Sequence, residues 1–395
     1  MVKTLVLLMA ATLAGYAAEG EAERLKALPA RFQQFVDAGE LSGGVFLVAR
    51  HGKTLLAEAV GFQDVEARKP MRVDSIFQMM SMTKPVTAVA LMMLVDEGRV
   101  ALTDPVEQHL PEFRGQMVAA PEGPRKPLRP VCVRDLLSHT AGIGMPPRGS
   151  LGPDAKRPTT LAEAVTLYAK APLRFDPGTK FAYSNAGIAT AGRIVEVVSG
   201  MPYEKFLEDR LFRPLGMKDT FFFPDEARLG RIAVYYRFEG GKLRRAGPEN
   251  PLGDPLRSGF RARYPLPESG LYSTAPDMAA FHQMMLDGGT RQGKRILSRS
   301  AVEVMAMVHT GALETREPGF GWGLGWNVAK DPWGSLSLLS PGTFAHGGAW
   351  NTFGFVDRSK DMIGILMLQH EGSNERSVRE FFNALVNAAV DREVQ

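Results

Sequence analysis

The run Phe77-Gln78-Met79-Met80-Ser81-Met82-Thr83-Lys84-Pro85, continued by the apolar residues from Val86 to Val95, decides how the rest of the chain is read. It reads as a short strand or turn that delivers a serine to the start of a buried helix. Pro85 suits a first helical turn, where a missing N–H leaves no hydrogen bond unmade. Gly98 supplies the stop. With Ser81 at the helix start, Lys84 lies three residues on and shares its face, so hydroxyl and amine can meet. The free N–H groups and positive end of the helix act at the same spot. A serine beside an amine able to lose its proton is a nucleophile with its own base. S-x-x-K also arises by chance in a chain of this composition, so the other segments must carry the assignment.

Composition narrows the field. The 395 residues are 45% hydrophobic, enough for a large core in one large domain or two. With 47 basic and 43 acidic residues the net charge is +4, without a long block of one sign. The arginines scattered from Arg228 to Arg263 read as a solvated loop surface, so no nucleic-acid partner is expected. Cys132 is the single cysteine, which excludes an intramolecular disulfide and a cysteine-based metal cluster. The histidines form no H-E-x-x-H pair, so no metal and no cofactor are expected. Lys3, an apolar run from Leu5 to Ala18 and the acidic Glu19-Gly20-Glu21 read as a secretory signal peptide over 1–18. The alternative is an uncleaved N-terminal helix. The first reading implies a periplasmic or secreted protein, the second a cytoplasmic one. No later run approaches the ~18 apolar residues of a membrane span.

Outward from the serine, the pattern alternates between strands at the two ends and helices in the middle. Glu21 to Ala38 reads as an amphipathic helix, then Gly44 to Ala49 and Thr54 to Val60 as a hairpin turning at His51-Gly52. Gly61 to Val73 is polar and irregular. Helices are expected at 133–138, 161–169, 189–198 and 203–212, with His139 tying the turn that ends the first of them. The weakly periodic stretch 221–266 reads as a flap over the active site. Thr274 opens a helix that runs to Leu286. Strands follow at Gly323–Val328, Gly342–His346, Thr352–Asp357 and Met362–Leu368, then a closing helix from Val378 to Val390. The expected fold is an α/β unit of residues 19–80 plus 265–395, its antiparallel sheet flanked by helices and built from both termini. A mainly helical domain, 81–264, is inserted in it.

Two further segments carry chemistry. Tyr183-Ser184-Asn185 precedes a helix that Ser184 or Asn185 can cap. A tyrosine phenol near a lysine can pass a proton, and an asparagine amide can hold an ester or amide group. In Phe344-Ala345-His346-Gly347-Gly348-Ala349-Trp350, two glycines follow a histidine at a strand edge. They let a ligand approach the backbone closely, or they form a β-bulge.

Ser81-x-x-Lys84, Tyr183-x-Asn185 and His346-Gly347-Gly348, in that order, resemble the three motifs of the penicillin-recognising serine hydrolases. This superfamily includes class C β-lactamases, D-Ala-D-Ala carboxypeptidases and family VIII carboxylesterases. The stretches Leu136 to Gly142, Pro177-Gly178-Thr179 and Gly270 to Thr274 are similar to segments of the family too, so the resemblance covers roughly 25–390. It implies a β-lactamase/transpeptidase-like fold and an acyl-enzyme on Ser81. Lys84 and Tyr183 would move the proton, the N–H groups of Ser81 and Ala349 would form the oxyanion hole, and Asn185 would orient the acyl group. His346, Gly347 and Gly348 would line the substrate site. Where β-lactamases of this type carry Lys-Thr-Gly, His346-Gly347-Gly348 lacks the hydroxyl and the fixed charge that hold a substrate carboxylate. The departure resembles the esterase branch. A short-chain carboxylic ester is therefore the expected small-molecule substrate, with a β-lactam or D-Ala-D-Ala peptide, an acyltransferase and a non-catalytic receptor as alternatives. No G-x-S-x-G is present, which excludes an α/β-hydrolase elbow.

Overall fold

A computed structural model describes residues 20–144, 159–246, 264–331, 334, 338–372 and 375–390. The 1–18 segment and residues 247–263 of the expected flap lie outside the described residues.

The sheet begins with a buried run. Strand β1 (Gly43–Arg50) is buried along its whole length, so it reads as near-continuous apolar sequence rather than an alternation. It turns into β2 (Lys53–Asp64) through His51 and Gly52, at φ 51° and 69°. Two successive left-handed residues give the turn whose twist matches a hairpin. β2 extends further than the sequence suggested, to Asp64, and pairs with a short β3 (Lys69–Pro70) inside the stretch read as irregular. The polar residues of β2 had hidden it: most of the strand is only partly covered.

The remaining strands come from the other end of the chain. They are β4 (Phe320–Trp322), β5 (Asn327–Ala329), β6 (Phe344–Gly347), β7 (Phe353–Asp357) and β8 (Met362–Met367). The sheet order is β4-β5-β6-β7-β8-β1-β2-β3, antiparallel at every step. β1 thus pairs with the last strand of the sheet, Val45 opposite Met367 and Arg50 opposite Met362. Of the stretch 323–328, expected as one strand, residues 323–326 are instead the turn between β4 and β5, and 327–328 open β5. Gly325 sits there at φ 79°, a conformation that ends a strand.

Both faces of the sheet are packed, and β1 divides its side chains between them. Phe46 and Val48 join a core with α1 (Ala27–Asp37), which contributes Leu28 and Phe32, and with the C-terminal helix. Val45, Leu47 and Ala49 join the larger core on the other face. That core holds α2 (Thr83–Asp96), α3 (Val133–Leu137), α4 (Asn185–Ser199) and α5 (Ala275–Leu286). α2 is buried almost throughout, from Thr83 to Leu94, which explains its nearly all-apolar sequence. It ends at Gly98, at φ 69°. α6 (Glu375–Ala389) closes the chain. A small second sheet pairs Tyr236–Glu239 with Lys242–Arg245 and, in parallel, with His370–Gly372. It ties the expected flap to the end of β8. Among the described residues no helix is long and apolar enough to cross a membrane.

Candidate active site

Ser81 lies in a single 3-10 turn, Met80–Met82, between the short strand Phe77–Gln78 and α2. The strand pairs with Tyr272–Ser273, which fixes where the turn begins. Met80 is held at φ 48°, a left-handed conformation unusual for a residue with a Cβ. It leaves Ser81 half-buried at the head of α2 while Met79 and Met82 pack inside.

Lys84 sits where the spacing predicts. Its Nζ donates to Ser81 Oγ at 2.9 Å and to the main-chain oxygen of Glu268 at 2.8 Å. The side chain is fully buried. Burial takes the amine down to about 7, the nearby Glu268 carboxylate opposes that, and Arg316 adds to it. An ordinary lysine is free in fewer than about 0.1% of molecules at pH 7, whereas this one is free in a large fraction. An amine in that state is able to accept a proton.

Tyr183 closes the triangle. Its phenol lies close to Ser81, and its ring centroid is 4.8 Å from Lys84 Nζ. Burial pushes the phenol up to about 12, although Ser81 and Arg316 pull the other way. The phenol therefore stays protonated at neutral pH and can give a proton. Ser184, next in sequence, is the N-cap of α4 and accepts from the Gly187 N–H at 3.0 Å. The cap sets the direction from which Tyr183 enters the site.

His139 supports this placement. At φ 58° it turns back toward α4, and its Nδ1 accepts from the Ser184 N–H at 3.1 Å. Its ring lies 4.4 Å from that of Tyr183. The turn-tying role expected from sequence is present, with the tied segment being that of the tyrosine. Burial keeps His139 well below the ordinary histidine range.

His346, on β6, is also buried and neutral, taken down to about 3 by burial and by Lys84. Its Nδ1–H donates to the Gly347 oxygen at 2.8 Å. Nε2 of His346, Nε2 of His139, Nε1 of Trp322 and Oδ1 of Asn185 are all buried without a hydrogen-bond partner among the described residues. The rings of Tyr183 and Trp322 neighbour each other and those of both His139 and His346, so buried polar groups without partners gather around Tyr183.

The glycines after His346 have different reasons. A Cβ at Gly348 would lie 2.3 Å from the Met79 oxygen and 2.2 Å from Thr352 Oγ1. Thr352 Oγ1 donates to that Met79 oxygen at 2.9 Å, and Trp350 Nε1 donates to Gln78 Oε1 at 2.9 Å. The turn carrying Ala349 is thereby tied to the residues that lead into Ser81. A Cβ at Gly347 would lie 2.9 Å from Nη1 and 3.0 Å from Cζ of Arg379, on α6. This corrects one expectation. The hydroxyl is missing from the third motif, but a cation is not: α6 brings a guanidinium to the same strand. A second one, Arg316, stands 4.1 Å from the Tyr183 ring centroid. Sequence reasoning missed both, and it missed Glu268. A residue that contributes through its main-chain oxygen leaves no signature, and neither does an arginine in an irregular loop.

Comparison with known proteins adds to this geometry. The family model described as Beta-lactamase matches residues 28–388. The chain belongs to the β-lactamase family. Esterase EstB of Burkholderia gladioli is 33% identical over 363 residues, which span 86% of this chain and 89% of EstB. Protein Rv1367c of Mycobacterium tuberculosis is 34% identical over 377 residues, with the same shares of 86% and 89%. Among solved structures, EstCE1, described as a hydrolase with promiscuous acyltransferase activity, superposes with a TM-score of 0.79 at 27% identity. The match covers 95% of this chain and 99% of EstCE1. The chain is thus a serine hydrolase of the β-lactamase/transpeptidase fold.

One expected result follows from the phenol. Tyr183→Phe should lower kcat by ~10² or more if the phenol beside Ser81 passes a proton to the leaving group. Turnover of an alkyl ester, whose leaving alcohol must take up a proton, checks this. A near-normal rate would assign both proton transfers to Lys84.

Proposed function

We propose that the protein is a carboxylesterase that cleaves short-chain carboxylic esters through an acyl-enzyme on Ser81. The observation that carries the reading is the 2.9 Å hydrogen bond from a fully buried lysine to the serine hydroxyl. Lys84, as the free amine, takes the Ser81 proton while Oγ attacks the ester carbonyl. The oxyanion is held by the N–H groups of Ser81 and Ala349, where one donor is typically worth ~3 kcal/mol. Tyr183 protonates the leaving alcohol, and water then attacks the acyl-enzyme with the same residues as base. Asn185 orients the acyl group. The esterase relative and the hydrolase EstCE1 support this branch.

The substrate preference rests on the third motif. Gly347 offers no hydroxyl to a substrate carboxylate and His346, neutral at working pH, no charge, although the Arg379 guanidinium stands beside Gly347. A hydrogen bond to a charged group is worth roughly 1.5–3 kcal/mol, ten- to a hundredfold in rate. Neutral esters lose nothing by its absence. The kcat/KM for p-nitrophenyl butyrate should therefore exceed that for a chromogenic cephalosporin on one preparation by about that factor. A faster cephalosporin would mean that Arg379 replaces the missing hydroxyl, and a β-lactamase reading would take over. The neighbour with promiscuous acyltransferase activity favours a second reaction at the same site, transfer of the acyl group to an added alcohol. Product analysis with and without the alcohol separates transfer from hydrolysis. The 1–18 segment supports export, so we place the activity in the periplasm or outside the cell.

A further inference from the structure

Lys84 is held between two charges of opposite sign, and the roles just proposed involve neither of them. On the inner side is Glu268. Its main-chain oxygen receives the lysine amine at 2.8 Å, and its side chain is buried. The segment is clamped on α2 a second time by Thr87 Oγ1, which donates to the Pro267 oxygen at 2.5 Å and meets Tyr203 Oη at 2.6 Å. The charge of the carboxyl is felt by Tyr168, Tyr183, Tyr203 and Tyr264, whose phenols it helps to keep protonated. Its Oε2 has no hydrogen-bond partner among the described residues. A buried carboxylate oxygen left without a donor is costly and calls for a reason. On the outer side, at the mouth, is the exposed Arg316.

We propose that Glu268 is a positioning residue of the reaction: its main-chain oxygen aims the Lys84 amine at Ser81, and its buried carboxyl sets the pH range in which that amine is free. This takes Ser81 and Lys84 in the roles given above. The physical argument is one of sign. Burial alone drives a lysine toward the neutral form and a carboxylate toward the protonated form. A negative carboxylate near the amine pulls the other way and keeps the lysine protonated to higher pH. Burial raises Glu268 above the ordinary carboxylate range, while Lys84 draws it back, so each group answers to the other. The other groups facing Lys84 are Ser81 from the turn before α2, Tyr183 from the segment before α4, and His139 from the turn after α3. His346 from β6 and Arg316 from the loop before β4 complete the set. The two histidines are neutral at working pH and Tyr183 is protonated, so Glu268 and Arg316 are the charges that bias the amine.

The test is the pH dependence of Ser81 labelling by a fluorophosphonate, together with kcat/KM for p-nitrophenyl butyrate, in full-length protein. In the unmodified enzyme both should rise with pH through an acid limb centred near the Lys84 value of about 7. Glu268→Gln keeps the main-chain oxygen and removes the charge, so the limb should move to lower pH by about one unit. The variant-to-wild-type ratio of labelling rates should accordingly be larger at pH 6 than at pH 8. Glu268→Asp keeps the charge and should leave the limb closer to its original place. Arg316→Ala should move it to higher pH. A side chain that only fills space would lower the rate equally at every pH, and a limb that stays put in Glu268→Gln overturns the proposal. If Glu268→Gln does not fold, infrared difference spectra of the unmodified enzyme decide. A buried carboxyl must protonate across the same interval as the acid limb, and titration of all carboxyls in the ordinary acidic range overturns the proposal. Labelling at a residue other than Ser81 would overturn the active-site reading itself, a result distinct from an unmoved limb with Ser81 labelled.

Discussion

Ser81→Ala is expected to abolish covalent labelling by a fluorophosphonate and to cut ester turnover by roughly 10⁶, the order seen when an acyl-transfer nucleophile is removed. The fold should survive. Ser81 is half-buried in one 3-10 turn, and its hydroxyl serves Lys84 and Tyr183 rather than the core. With the hydroxyl gone, Lys84 keeps its hydrogen bond to the Glu268 oxygen, so no buried amine is stranded. Far-UV circular dichroism and a thermal melt close to wild type, with intact-mass analysis showing no adduct, are the expected observations. An adduct on another serine would remove the assignment.

Gly348→Ala should also damage activity, by a smaller factor, although it touches no side chain of the catalytic group. The new Cβ would meet the Met79 oxygen at 2.3 Å and Thr352 Oγ1 at 2.2 Å, and neither is the loose end of a flexible chain. Either the turn shifts or Met79 does, and both positions bear on the oxyanion hole. Ala349 follows the glycine, and Met79 lies two residues before Ser81. Loss of one oxyanion donor typically costs 10²–10³ in kcat. Overpacking of this kind costs about 1–3 kcal/mol of stability. The expected outcome is a fall in kcat of that size with KM little changed. A variant with normal kcat would show that the Ala349 N–H does not carry the oxyanion.

Much of this site was legible because its logic is local. A serine and a lysine three residues apart at a helix start must share a face, and Lys84 Nζ does reach Ser81 Oγ. Tyr183 came from likeness to a family rather than from its own surroundings, since a tyrosine before a helix cap is ordinary. The sheet was legible where strands were buried and apolar, as in β1, β7 and β8. It was illegible where a half-covered strand carried polar residues, as in β2, and where a left-handed glycine broke an apolar run, as at Gly325. The charges around the site were the real gap. Arg379 reaches Gly347 from a helix more than thirty residues on, Arg316 comes from a loop, and Glu268 holds Lys84 by its backbone. Contacts of that kind are set by tertiary packing and have no spacing to read.

The partnership of β1 with β8 has a consequence for how the chain comes to be folded. Val45 must find Met367 across more than three hundred residues, and until it does, one edge of a fully buried strand stays open. During synthesis the N-terminal hairpin therefore emerges long before the strand that completes it, and waits. Contacts so distant in sequence make for slow folding and for a prolonged interval in which an apolar edge can pair with another chain. A ribosome-bound chain halted before Met362 should remain open to protease throughout β1, however long it is given. Release of the final strand and α6 should protect that hairpin and the catalytic turn in a single step.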